Sequence, residues 1–170
     1  MNGKYCVDAN VFITPWCTSY PINTFPTLWK QIAQHRNDII LIKPIYDEIE
    51  PISSIDNKLS QPEKKDKYPL RTWLTKNNFP EYPINDNINL LSLSMEQEYQ
   101  IDDKSNGADQ NDMLLIAYAK IMDQIVVTFE AYQKPKPNKK SNYKIPLICE
   151  EKKVNCISFI DMINALGIKV

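Results

Sequence analysis

Short apolar runs alternate with stretches of helical spacing along most of this chain. KYCVD (Lys4–Asp8) has an apolar centre ending in an acid and predicts a short buried strand. Beyond a proline-punctuated loop, Leu28, Trp29 and Ile32 share one helical face; Thr24 as cap and Pro26 in the first turn predict a helix through about His35. DIILI (Asp38–Ile42) is the clearest strand, apolar throughout as parallel strands buried on both faces are. A short helix is expected from Pro44 to Glu50, where Pro51 stops it. Residues 52–66 are polar and read as a loop. Tyr68–Lys76 and Asn87–Tyr99 read as helices that bury Trp73 and Leu74, and Leu90, Leu91 and Leu93, respectively. A polar stretch through Gly107 leads to a helix from about Asp109 to Met122, then the strand Ile125–Phe129 and a lysine-rich loop. Pro146 opens another short helix, Asn155–Ser158 is a strand, and Phe159–Leu166 is a closing helix ended by Gly167.

Strands separated by helices predict an α/β fold whose parallel sheet is covered on both faces. Ligands of such sheets gather at the carboxyl ends of the strands. A length of 170 residues suits one domain with a single core, and no internal repeat is visible.

Composition narrows the function classes. Twenty basic against 21 acidic residues leave a net charge of −1, so no global field attracts nucleic acid. The charge is uneven, however. Residues 134–144 carry five lysines and no acid, and a second cationic stretch runs from Lys58 through Lys64, Lys65, Lys67 and Arg71 to Lys76. Arginine occurs only at 36 and 71 in a chain rich in Lys, Asn and Ile. That usage is also what a biased genome produces, so lysine number alone is discounted. The four cysteines form no Cys-x-x-Cys pair, which signals neither a zinc site nor a disulfide framework. The longest apolar run, Met113–Ala119, is far short of a membrane span, and Met1–Lys4 does not lead into a signal-type hydrophobic stretch. A cytoplasmic location is the expectation.

The acids carry the chemistry. Asp8 ends the first strand with Asn10 two residues on, placed to bind the same water or metal, or to close an Asx turn over loop amides. Glu48 lies beside the seam that Ile45 and Ile49 should turn to the core; an acid there is equally at home in solvent. Asp112 opens a helix that is apolar nearly all round, with Asp109 three residues earlier. One first-turn acid complements the helix dipole, and a second points to a shared cation. Glu130 follows the strand IVVT, as a site acid or a loop acid. Two like charges about 4 Å apart repel by about 4 kcal/mol at an effective dielectric near 20, so converging carboxylates either protonate or share a divalent ion. Oxygen-only donors favour Mg²⁺ or Mn²⁺, and with His35 the sole histidine a zinc hydrolase is disfavoured. Such a site suits metal-assisted attack of water on a phosphodiester.

Taken together, YCVDANVF, YDEI, ADQNDMLLIAYA, VVTFE and the tail KIPLICEEKKVNCISFIDMINALGI resemble the PIN-domain ribonucleases, in particular a bacterial branch related to VapBC-type toxins. The resemblance spans nearly the whole chain. It implies a single three-layer α/β sandwich over residues 1–170, with 52–106 as a variable helical clip region. It further implies one or two Mg²⁺ or Mn²⁺ ions, RNA hydrolysis, a small antitoxin partner and a homodimer. Carried over by position, Asp8, Glu48, Asp112 and Glu130 are the catalytic acids, with Asp109 able to replace or assist Asp112 as a ligand. Asn10 and Thr128 match the supporting polar positions. The expected cleavage uses water as nucleophile and leaves a 5′-phosphate and a 3′-hydroxyl. Lys134, Lys136, Lys139 and Lys140 are the candidate RNA contacts, with a solvated loop as their alternative. Trp16 and Tyr20 are placed either to stack on bases or to fill the core. A catalytically silent PIN-like module that binds a protein or RNA partner is the competing function. A haloacid-dehalogenase-type phosphotransferase also starts from a strand-end Asp, but it wants a second acid where this chain has Asn10.

Overall fold

The computed structural model describes residues 4–102, 104 and 106–169. In chain order the elements are β1 (Tyr5–Val7), α1 (Asn10–Thr14), which runs into a π-helical turn at Pro15–Ser19, α2 (Pro26–Gln34), β2 (Ile39–Ile42) and α3 (Lys43–Glu48). A 3₁₀ turn at Asp56–Lys58 precedes α4 (Gln61–Lys67), α5 (Pro69–Lys76) and β3 (Glu81–Tyr82). Then come α6 (Asp86–Tyr99), α7 (Gln110–Ile121), β4 (Ile125–Thr128), a 3₁₀ turn at Lys140–Asn142, α8 (Ile145–Lys152), β5 (Cys156–Ser158) and α9 (Phe159–Ala165).

The fold is α/β: a five-stranded sheet of order β3-β2-β1-β4-β5, parallel throughout and flanked by helices as a three-layer sandwich. Tyr5 pairs with Ile39 on one side and Ile125 on the other, which puts β1 at the centre. The chain moves outward from β1 through β2 to β3 in one direction, and from β4 to β5 in the other. Right-handed crossovers then send the helices of the two halves to opposite faces. Accordingly α7 packs on β1 and β4 with α6 and α8 beside it, whereas Phe12, Trp16, Trp29, Trp73 and Phe79 form one aromatic cluster between α1, α2 and α5. The order reverses between β1 and β4, the place where parallel α/β sheets characteristically form a crevice at the carboxyl ends.

Most predicted elements are present with ends shifted by a residue or two, and five expectations are corrected. The proline-punctuated stretch before α2 is not all loop: it carries α1 and the π-helical turn, with Pro15 at the start of that turn, where a missing N–H is tolerated. Residues 52–66 are not all loop: Glu63 reaches back to the Ser60 N–H (2.8 Å) and hydroxyl (2.6 Å) and starts α4. Thr24 does not cap α2; Phe25 holds that position, and the Thr24 N–H closes a turn onto the Pro21 carbonyl at 2.9 Å. In α6, Leu90 and Leu93 are 66% and 54% exposed, because the buried stripe is Ile88, Ser92, Met95 and Tyr99 at i, i+4, i+7 and i+11. Strand β3 lies inside the 52–106 region expected to be helical; two residues between Pro80 and Pro83 show no apolar run and suit only a sheet edge. Among the described residues no helix is long and apolar enough to cross a membrane. All four cysteines are free thiols.

Candidate functional site

Asp8 stands one residue past β1 but keeps the register, its N–H donating to the Val127 carbonyl at 3.0 Å. Its carboxylate is only 4% exposed and accepts from the Thr128 hydroxyl (3.3 Å) and the Asn10 backbone N–H. The latter contact is the Asx turn anticipated as the structural role of this pair, so Asn10 acts through its amide while its side chain is exposed. Thr128 ends β4 and is itself buried; its hydroxyl also accepts the Glu130 N–H at 3.1 Å. Glu130 in turn accepts the N–H of Ile145 at 2.8 Å, at the start of α8, with the Lys144 ammonium 4.0 Å away. Two adjacent parallel strands thus deliver Asp8, Thr128 and Glu130 to one crevice.

Glu48 arrives by another route. Helix α3 springs directly from the end of β2, and burial of Ile45 and Ile49 fixes its rotation. Half-buried Glu48 is then held by a close hydrogen bond from the Asn111 side-chain amide. Asn111 escaped the sequence reading; its signal was only a polar residue between two acids in a first turn.

Helix α7 brings the last two acids. Asp109 is its N-cap and accepts the Asp112 N–H at 3.0 Å, while Asp112 accepts the Asp109 N–H at 2.9 Å. This reciprocal capping box gives both acids a structural role. Each acid has a capping role of its own, so two first-turn acids do not by themselves point to a cation. The approach to α7 is set by Gly107, where a Cβ would stand 2.6 Å from the Ser141 carbonyl, and by the Ala108 N–H donating to the Tyr143 carbonyl at 2.8 Å.

Electrostatics couples these segments. Burial, then the charges of Glu130 and Glu48, push Asp8 up to about 6 despite its hydrogen bonds. Burial, then Asp109, Asp8 and Glu130, push Asp112 up to about 8. Burial also raises Glu48, opposed by the Asn111 hydrogen bond, with Asp109 adding to the rise. The five acids are therefore linked pair by pair: Asp8 feels Glu130 and Glu48, Asp112 feels Asp109, Asp8 and Glu130, and Glu48 feels Asp109. Among the described residues none of Asp8, Glu48, Asp109 and Asp112 forms an ion pair with a basic side chain. A hard divalent cation fits the chemistry of this donor set: oxygen only, in charge excess and partly dehydrated. As the side chains stand, no three Asp, Glu, His or Cys among the described residues form a group able to hold a metal ion. Capping and amide hydrogen bonds engage several of them instead.

A cleft of about 410 Å³ opens beside Glu130, lined also by Thr128, Tyr132, Cys156 and Ser158; of the five acids only Glu130 lines it. The lysine loop is largely committed to this chain's own acids. Lys136 pairs with Glu151 at 2.9 Å, and Lys140 lies 3.5 Å from Glu98 and 3.6 Å from Glu151, over the Tyr99 ring. Lys134 and Lys139 are exposed. Trp16 packs on Trp29 with ring centroids 4.9 Å apart, and Tyr20 on Phe25 at 5.4 Å, so both serve the core.

A family model described as a domain of unknown function (DUF4411) matches residues 5–170, and the chain belongs to that family. No curated protein and no solved structure matches the chain.

Proposed function

We propose that this protein is a Mg²⁺- or Mn²⁺-dependent endoribonuclease of the PIN type that its sequence resembles, toxin-like and partnered by a small antitoxin. The observation that carries the reading is the cluster of Asp8, Glu48, Asp112 and Glu130 at the strand-order reversal, buried enough to hold Asp8 at about 6 and Asp112 at about 8, with no basic side chain paired to Asp8, Glu48 or Asp112 among the described residues. Perturbed acids in a crevice of this kind are where chemistry concentrates.

Asp8, Glu48 and Asp112 would hold the ion. When bound, it supplies an activated water and charge stabilisation for the leaving oxygen. The chain's own contribution is positional. Thr128 and the Asn10 amide fix the Asp8 carboxylate, Asn111 aims Glu48, and the α7 cap fixes Asp112. Glu130 stands at the β4 exit beside the open cleft, positioned to orient water at the reacting phosphate.

The test is cleavage of a labelled single-stranded RNA with Mn²⁺, with EDTA, and by an Asp8→Asn/Asp112→Asn double variant. Mn²⁺-dependent cleavage giving 5′-phosphates, lost at least about 100-fold in the double variant, is expected. Cleavage that persists in EDTA or in the variant overturns the proposal. The hydrogen bonds already engaging Glu48, Asp109 and Asp112 favour a second reading, a catalytically silent module. Calorimetric titration with Mn²⁺ separates the two: absence of binding near neutral pH selects the silent module.

A further inference from the structure

The second cationic stretch of the sequence takes no part in the acidic site, yet it is not scattered over the surface. Two open clefts flank α5. One, of about 700 Å³, is lined by Ile52, Lys64, Lys65, Arg71, Thr72, Thr75 and Lys76 with Gln61 and Pro62, and by no acid. The other, of about 440 Å³, includes Lys30, Arg36 and Lys76 around Trp29 and Trp73, again without an acid. Both clefts are bordered by Lys76, the last residue of α5. Both arginines of a chain that otherwise uses lysine line this face.

We propose that these two clefts, on either side of Lys76, are a binding track for single-stranded RNA, separate from the acidic site. Four observations favour that occupant. Among the described residues Lys30, Arg36, Lys65 and Lys76 have no carboxylate within ion-pair distance, whereas Lys136 and Lys140 of the lysine loop do. Most acids near the track already have partners: Asp47 pairs with the Arg71 guanidinium and so partly neutralises that one lining cation, Glu50 accepts the Arg71 backbone N–H, Glu63 accepts from Ser60 and Asp56 pairs with Lys67, while Asp66 lies exposed between Lys65 and Lys67. Trp73, partly buried in the aromatic cluster against Phe12, Trp16, Trp29 and Phe79, lines the smaller cleft beside Lys30, Arg36 and Lys76, an aromatic side chain among cations. Finally, the larger cleft begins at Ile52, just beyond α3, and Arg71 donates to the Tyr46 and Ile49 carbonyls either side of Glu48. The larger cleft therefore lies next to the helix that carries Glu48. Cations supply affinity for the backbone without reading its sequence. The choice of RNA as the polymer rests on the nuclease reading; the acid-free cationic face does not.

The experiment measures binding of a fluorescein-labelled oligouridylate of ~12 nucleotides by anisotropy, in EDTA so that no cleavage occurs. The full-length parent is compared with a Lys30→Gln/Lys65→Gln/Lys76→Gln variant, whose three side chains are exposed and leave the core untouched. Expected are about tenfold weaker binding, a log–log salt slope reduced by up to about 2, and loss of the tryptophan quenching seen in the parent. Affinity within twofold of the parent at every salt concentration overturns the proposal. So does a poly-glutamate peptide that binds the parent as tightly as the oligonucleotide, since the face would then be an acidic-protein site. Binding lost in the variant while the parent cleaves nothing with Mn²⁺ leaves the track standing and defeats the nuclease reading alone.

Discussion

At Asp8, burial and neighbouring charge both oppose ionisation, while one hydroxyl and one amide only partly offset them. Its pKa in the folded chain, about 6, lies above the ordinary 3.8, so the folded state binds the proton more tightly than the unfolded state does. The stability contributed by the protonated form is complete below pH ~3.8 and is lost as pH rises through 6, a change of roughly 3 kcal/mol. Asp8→Asn keeps the shape and an acceptor but removes the charge. In EDTA at pH 8 it should unfold at higher urea than the parent by about that free energy, and the two should converge near pH 4. Added Mn²⁺ should stabilise the parent at pH 8 and leave the variant nearly unmoved. A parent whose stability is flat between pH 4 and pH 8 would contradict the burial argument. The place of Asp8 at a strand end was legible in the sequence because the apolar run before it marks a buried strand. Asn111 was not, since its value lies wholly in reaching Glu48 from another helix.

At the scale of elements, the start of α7 decides how the site is held. The capping box ties Asp109 and Asp112 to each other's amides, and Gly107 lets the preceding chain lie against residues 141–143. Asp109→Ala removes the acceptor for the Asp112 N–H and should cost about 1 kcal/mol; Asp109→Ser restores an acceptor and should recover most of it. Thermal melts of the two variants check this, and equal losses would show that Asp109 contributes by charge rather than by capping. The same scale explains the misreadings. The Ser60–Glu63 pair of α4 is a capping box visible in sequence that polarity alone concealed. In α6 the run Leu90, Leu91, Leu93 suggested a buried face, yet the helix turns Ile88, Met95 and Tyr99 inward because these meet the rest of the core.

For the whole molecule, one core spans both faces of the sheet, and its aromatic centre draws Phe12 and Trp16 from the first crossover, Trp29 from α2, and Trp73 and Phe79 from the α5 region. All three tryptophans therefore report on contacts between distant segments. Urea unfolding followed by tryptophan fluorescence and by far-ultraviolet circular dichroism should give coincident transitions. An earlier fluorescence transition would mean that α4 and α5 detach as a separate unit. The same architecture separates functions in space: acids gather where the strand order reverses, and unpaired cations line the α2–α5 flank.

Alternation of apolar strands with amphipathic helices was enough to determine a parallel α/β sheet, because such strands can be buried on both faces only if helices cover them. The identities and order of the candidate acids were likewise local facts. Only the tertiary structure decided that β1 and β4 are neighbours, so that Asp8 meets Thr128 and Glu130, and that Asn111 reaches Glu48. It also decided which lysines are neutralised, since Glu98, far from the loop in sequence, and Glu151, on the helix that follows it, lie beside it in space. Burial, charge pairing and side-chain reach depend on what other segments place nearby, and no local pattern of residues specifies that.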